Sequence, residues 1–214
     1  LDLMGLHDVE TMKLIREELN KIDKSIIMYG EGWTGGETPL PENDRALKKN
    51  TIQYDKLQIA AFSDDMRDGV KGDVFISDKP GFVNNGQGFE ETIKCGIVAS
   101  INHNQIDYSK VIYSDKFWAN EPYQTVNYAS AHDNYTLWDK LCITTKGESE
   151  EERIKMNKLI SAIILTSQGI SFIHAGEEML RTKRDEKGNL VENSYNSSDL
   201  VNKLDWERKE KYSD

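Results

Sequence analysis

Apolar side chains recur along this chain with two different periods. From Asp8 to about Asp23 they fall at Met12, Ile15, Leu19 and Ile22, one face of a helix, with Asp8 placed to cap it and Glu10 suited to its positive end. A second helical stripe, Met156, Leu159, Ile160, Ile163 and Ile164, follows Ser149 and Glu152, the signature of a capping box. Phe89 to Ile101 predicts another helix. Four further runs show no helical period: Ser25 to Gly30, Gln58 to Ser63, Thr125 to Ala129 and Ile170 to Ala175. Short, continuously apolar or β-branched runs of this kind are strands buried on both faces. Leu1 to Met4 reads as the end of one more. The stretches from Asp68 to Gln87 and from Asp107 to Gln124 predict loops, as do Lys183 to Glu186 and Asn193 to Ser198.

Alternating helices and two-sided strands imply an α/β fold with a parallel sheet, open or barrelled. The barrel is favoured because the candidate strands run into acids: Asp2, Glu31, Asp64 and Asp65, Asp133, Glu177 and Glu178. In a (β/α)8 barrel the C-terminal strand ends gather at one active site. Asp64, Asp65 and Glu178 are expected to cap following helices instead. The remaining three have other neighbours. Asp2 lies in an apolar run, Glu31 stands between Gly30 and Gly32 beside Trp33, and Asp133 stands between His132 and Asn134. Glycoside hydrolysis needs one protonated and one ionised carboxyl, roughly 5–5.5 Å apart in retaining enzymes, with aromatic faces for the sugar. Acids at strand ends occur in many barrels, so spacing alone does not select this chemistry.

Composition narrows the classes. The chain has 214 residues with 27 Lys and Arg against 37 Asp and Glu, a net charge of −10. Nucleic-acid and anionic-membrane binders need clustered cations, so neither partner is expected, while a neutral sugar is compatible. Purely apolar runs such as Ile163 to Leu165 are far too short to span a bilayer. Cys95 and Cys142 fit no metal or redox spacing and read as buried free thiols, which points to a reducing, cytoplasmic compartment. His7-Asp8 and His132-Asp133 spell the pair used by metal-dependent phosphohydrolases, but four histidines are few for that chemistry. Trp118, Trp138 and Trp206 are expected to serve packing, and His174 to sit satisfied in a strand.

The motifs also resemble a known family. Leu1-Asp2-Leu3-Met4-Gly5-Leu6-His7-Asp8 is similar to the fourth-strand motif of the α-amylase superfamily in the form found in type I pullulanases. Tyr29-Gly30-Glu31-Gly32-Trp33 resembles the fifth-strand motif, and Val126 to Asn134 the seventh. Gly169 to Glu178 with Arg181-Thr182-Lys183 resembles the eighth, and Asn193 to Asp199 is also similar. The resemblance implies a partial (β/α)8 TIM barrel, strands 4 to 8 with long βα loops, residues 1–214 being its C-terminal portion. The abrupt start at Leu1 fits a piece of something longer, inactive alone, whose partners are an α-glucan and the remainder of its own barrel. It implies Asp2 as nucleophile, Glu31 as general acid and base, and Asp133 as the stabiliser of the distorted sugar. His132, Trp33, Asn134 and Asp199 would bind substrate. The activity implied is hydrolysis of α-1,6 branch linkages in pullulan, glycogen or limit dextrins; isoamylase and neopullulanase types, or a non-catalytic sugar-binding piece, are the alternatives. No cofactor or metal is implied at the site; a structural Ca²⁺ occurs in the superfamily, but no ligand loop for one is apparent in the sequence.

Overall fold

Four of the apolar runs become strands in the computed structural model, which describes residues 1–213. β1 (Met28–Gly30), β2 (Ile59–Phe62), β3 (Thr125–Tyr128) and β4 (Ile170–Phe172) lie side by side in chain order, each pair parallel. Together they form a curled half-barrel sheet with helices packed against it. Parallel neighbours require crossovers. α1 (Val9–Ile22) precedes β1, and irregular chain with 3₁₀ turns joins β1 to β2. α2 (Asp64–Lys71) and α3 (Glu90–Ile97) lead from β2 to β3, α4 (Leu137–Thr144) and α5 (Glu150–Thr166) from β3 to β4. α6 (Asp199–Asn202) and α7 (Glu207–Lys211) follow.

The cap predicted for α1 is formed, Asp8 accepting from the Thr11 backbone N–H, and of the α5 capping box the Ser149 half is formed, Ser149 accepting from the Glu152 N–H. Other elements differ from expectation. Leu1 to Met4 is not a strand. The Leu1 amino group donates to the Tyr29 carbonyl at 2.8 Å and the Glu31 N–H to the Leu1 carbonyl at 3.0 Å, two bonds that bracket Gly30 as a parallel ladder would. Leu3 then turns left-handed, φ +51°, into a 3₁₀ turn, so Asp2 sits in a turn. A Cβ on Gly30 would lie 2.6 Å from the Leu1 carbonyl oxygen, which is why glycine stands there.

α2 continues to Lys71 through residues expected to be loop. Asp65, Asp68 and Lys71 are polar yet buried, so hydropathy hides this helix. α3 stops short of Ile101 because Ala99 and Ser100 both take φ +57°. α4 has no counterpart in the sequence expectation; Thr136 caps it by accepting from the Asp139 N–H at 3.1 Å. In α5, Ile160 and Ile164 are buried as expected, but Leu159 is exposed.

Two apolar clusters form on the helical side of the sheet. One joins Met12 of α1 to Met28, Ile59 and Trp118, and the other joins α2 to α5 through Met66, Leu137, Leu141 and Ile160. Each strand also gives one aromatic ring to a separate layer: Tyr29, Phe62, Tyr128 and Phe172, packed edge to face with centroids 4.8–6.3 Å apart. This alternation of faces follows from the two-residue period of a strand. Trp118 and Trp138 are buried, whereas Trp206, expected to pack, is 63% exposed. Cys95 is buried and Cys142 half-buried, both as free thiols. His174 lies beyond the end of β4, its Nε2 3.0 Å from Arg181 Nη1. Among the described residues no helix is long and apolar enough to cross a membrane.

Candidate active site

The C-terminal ends of the strands open onto one rim. Glu31 follows β1 directly, and its backbone is fixed by the bond to Leu1 and by accepting from the Gly5 N–H at 3.1 Å. Its side chain is 8% exposed, with Oε2 accepting from the Leu3 N–H at 2.9 Å. Its side chain also neighbours the Asp2 carboxyl, to which it is hydrogen-bonded, and the His132 ring. Burial, together with that bond and the nearby Asp2 charge, pushes the Glu31 carboxyl up to about 7. The hydrogen bond from Glu31 holds the Asp2 carboxyl below the usual carboxylate range, and the His132 charge adds to this. The pair is thus divided below about pH 7: Glu31 holds a proton and Asp2 is ionised. Environments that push two titratable groups apart in this way equip one for proton donation and the other for attack or charge stabilisation.

An aromatic wall explains the burial. Tyr29, Phe62, Tyr128 and Phe172, with Leu1, Ala131 and His132, line a cavity of about 220 Å³ that also takes in Glu31 and the exposed Asp2. From Glu31 a larger cleft of about 480 Å³ continues past Trp33, Tyr128, His132, Asp133 and Asn134. His132 Nε2 and Asp133 Oδ1 lie 3.6 Å apart and both side chains are half-exposed. Asn134 adopts φ +59°. Trp33 is partly buried, with the Arg67 guanidinium 5.9 Å from its ring centre. The structure therefore gathers Asp2, Glu31, Trp33, His132, Asp133 and Asn134 around two adjoining cavities. Asp199 is not brought with them: it is exposed, begins α6, and is absent from the lining of both cavities.

Asp2, Glu31 and His132 each offer a ligand atom within 4.8 Å of the others, a spacing that could hold a cation. The hydrogen bond between the two carboxyls engages two of those three groups with each other.

Other acids at the rim are spent on the protein itself. Asp65 accepts from Lys48 Nζ at 2.8 Å, the Tyr113 N–H at 3.0 Å and Ser114 Oγ at 2.6 Å, while Asp64 accepts from Lys48 at 2.5 Å. Neither caps α2: Ser63 does, accepting from the Met66 N–H at 3.2 Å, while Asp64 and Asp65 stand inside its first turn, and Glu178 occupies a 3₁₀ turn. Glu177 is buried against Ser130 Oγ at 2.8 Å, and burial pushes it up to about 7.

Sequence reasoning missed three cations. Arg67 and Lys71 line the cleft with Asp64, an i, i+3, i+7 face of α2 that the spacing would have revealed had a helix been expected after Ser63. Arg67 is held by Asp68 at 2.6 Å and by the Tyr128 hydroxyl at 3.1 Å. Lys71 is 1% exposed, and burial pushes its ammonium down to about 7. Lys183, expected in a solvated loop, is equally buried.

No protein-family model matches the chain. Curated proteins do. It is 36% identical over 214 residues to a pullulanase of Bacillus subtilis, covering all of this chain and 27% of that protein. It is 34% identical to the chloroplastic pullulanase 1 of Arabidopsis thaliana, covering 90% of this chain and 23% of that protein. The chain therefore spans about a quarter of the length of these relatives. Among solved structures, a mutant pullulanase of Paenibacillus barengoltzii complexed with maltotetraose superposes with a TM-score of 0.86 at 48% identity, over 99% of this chain and 30% of that one. The type I pullulanase of Bacillus subtilis complexed with maltose gives 0.87 at 35% identity, over 99% and 27%. Over its whole length the chain is homologous to type I pullulanases and corresponds to a part of those much larger proteins.

Proposed function

We propose that residues 1–214 are the C-terminal portion of a pullulanase-type (β/α)8 catalytic barrel, strands 4 to 8, in a retaining glycoside hydrolase. Its substrates are α-1,6-linked branch points of pullulan, glycogen or limit dextrins. Asp2 is the nucleophile that forms the glycosyl-enzyme, and Glu31 protonates the leaving oxygen and then activates water. Asp133 and His132 hold the distorted sugar, Trp33 stacks on its neighbour, and Asn134 contributes a polar contact. Asp199 joins them only if substrate draws α6 toward the cleft. The two free thiols favour a reducing compartment, the cytoplasm.

The observation that carries this reading is the divided carboxyl pair: Glu31 raised to about 7 and Asp2 lowered, in contact, beneath an aromatic wall. Its test uses the protein that contains this chain. Glu31→Gln and Asp2→Asn should each lower kcat on pullulan by about 10²–10⁴-fold, the range for removing a proton donor or nucleophile. Pullulan should be cleaved in preference to amylose, and the isolated 214-residue chain should be inactive. Unchanged debranching in both variants would sink the mechanism, and preference for amylose would move the assignment to a sister activity.

A further inference from the structure

The segment that carries His132, Asp133 and Asn134 leaves β3 and has no regular structure until Thr136 caps α4. Asn134 within it is left-handed at φ +59°, and the His132 and Asp133 side chains are half-exposed. A half-exposed loop of this kind needs an external support to keep one geometry.

That support comes from beyond β4. Lys183 is 1% exposed, and its Nζ donates to the His132 carbonyl at 2.8 Å and to the Asn134 carbonyl at 3.2 Å. Lysines so deeply buried are ordinarily paired with a carboxylate. Lys183 instead directs its ammonium at two peptide oxygens, the ones on either side of Asp133. Its backbone is fixed in turn: the Lys183 N–H donates to Asp139 Oδ2 at 2.8 Å and Thr182 Oγ1 to Asp139 Oδ1 at 2.5 Å. Asp139 is fully buried in the first turn of α4, the helix into which the loop runs. The bonds close a circuit, from the loop to α4, from α4 through Asp139 to residues 182 and 183, and from Lys183 back to the loop.

We propose that Lys183 is a positioning residue for the reaction proposed above, clamping the backbone on both sides of Asp133 so that the Asp133 and His132 side chains meet the sugar in one fixed geometry. The inference rests on that functional reading. Lys183 touches no substrate in this scheme; it acts through the loop. A charged donor suits the task because hydrogen bonds from an ionised group are about twice as strong as neutral ones.

The test uses the protein that contains this chain, assayed with pullulan. Lys183→Met should lower kcat about 10- to 100-fold, the cost of misplacing a reacting group by about 1 Å, with KM changed less than about threefold and thermal melting little altered. Lys183→Gln, neutral and of similar length, is the second variant should the Met protein not fold, and Lys183→Arg should restore most of the rate. In an Asp133→Asn background, assayed with an activated aryl glycoside, Lys183→Met should add no more than about a twofold loss, because the group it positions is already gone. A kcat within twofold of wild type in both neutral variants would overturn the proposal. So would a loss that multiplies in full on Asp133→Asn, since a general structural support would act independently of Asp133. If Asp133→Asn alone leaves the rate unchanged, it is the functional reading that fails.

Discussion

β1 and β2 are neighbours in one sheet, and each hands the chain on to acids at the same rim, yet the two sets of acids have opposite surroundings. After β2, Asp64 and Asp65 share the Lys48 ammonium, and Asp65 also accepts from a backbone N–H and a serine hydroxyl. After β1, Glu31 has one backbone donor, one neighbouring carboxyl, the half-exposed His132 ring and a wall of aromatic rings. Position at a strand end is common to both. What separates Glu31 from Asp65 is whether a cation meets the buried carboxyl; Asp64, which shares Lys48, is still pushed up by burial. A compensated acid is a structural tie, while an uncompensated one is left with a displaced proton that chemistry can use.

Breaking the tie after β2 should therefore cost stability rather than chemistry. Asp65→Asn leaves the largely buried Lys48 with Asp64 alone and, keeping one acceptor oxygen of two, removes the acceptor of either Tyr113 or Ser114. Loss of one partner from a buried ion pair costs about 3–5 kcal/mol. Chemical denaturation of Asp65→Asn should show a loss of that order, with kcat of the folded protein on pullulan within about fivefold of wild type. A thousandfold fall in kcat at unchanged stability would reverse the contrast between the two strand ends.

The acid after β1 predicts the opposite sign. The folded-state value of Glu31, about 7, lies above its ordinary 4.5, so its contribution is fully present below pH 4.5 and is lost as pH rises through 7. Wild-type protein should lose stability between pH 5 and pH 8 relative to Glu31→Gln, which cannot ionise, by on the order of 3 kcal/mol. Taking the difference between the two proteins cancels Lys71 and Glu177, which titrate in the same range. Asp2, held low, stays ionised throughout and does not alter the sign. The rate should fall above about pH 7 as the donor proton is lost. Parallel stability curves for the two proteins across that range would place Glu31 among the compensated acids.

The same contrast accounts for what the sequence made legible. Glu31 stood out because its neighbours are glycines, an indole and a strand, and the structure buries it beside Asp2. α1 and α5 were legible because their caps and apolar stripes agree. α2 and α4 were missed because their inward faces carry Asp65, Asp68, Lys71, Asp139 and Lys140, all buried. Hydropathy assigns such residues to solvent, and only their partners in other segments show otherwise. Lys183 was placed in a solvated loop for that reason, since its acceptors lie about fifty residues earlier in the chain. Charge and caps are local signals; compensation of a buried charge is not.

The smallest expected effect sharpens the contrast by serving as its control. Ser149 caps α5 through a single bond to the Glu152 N–H at 3.2 Å, and Ser149 lines neither the Asp2–Glu31 cavity nor the cleft beside it. Replacing a serine cap by alanine costs about 0.5–2 kcal/mol, because one N–H of the first turn loses its acceptor. Ser149→Ala should lower the thermal midpoint by a few degrees and leave both kcat and KM on pullulan unchanged. The effect is local to a helix terminus, and additivity holds between sites that share no partners. A comparable loss of activity in Ser149→Ala would mean that the rim responds to any weakening of the fold. In that event the rate losses expected at Glu31 and Asp2 could not be credited to their chemistry.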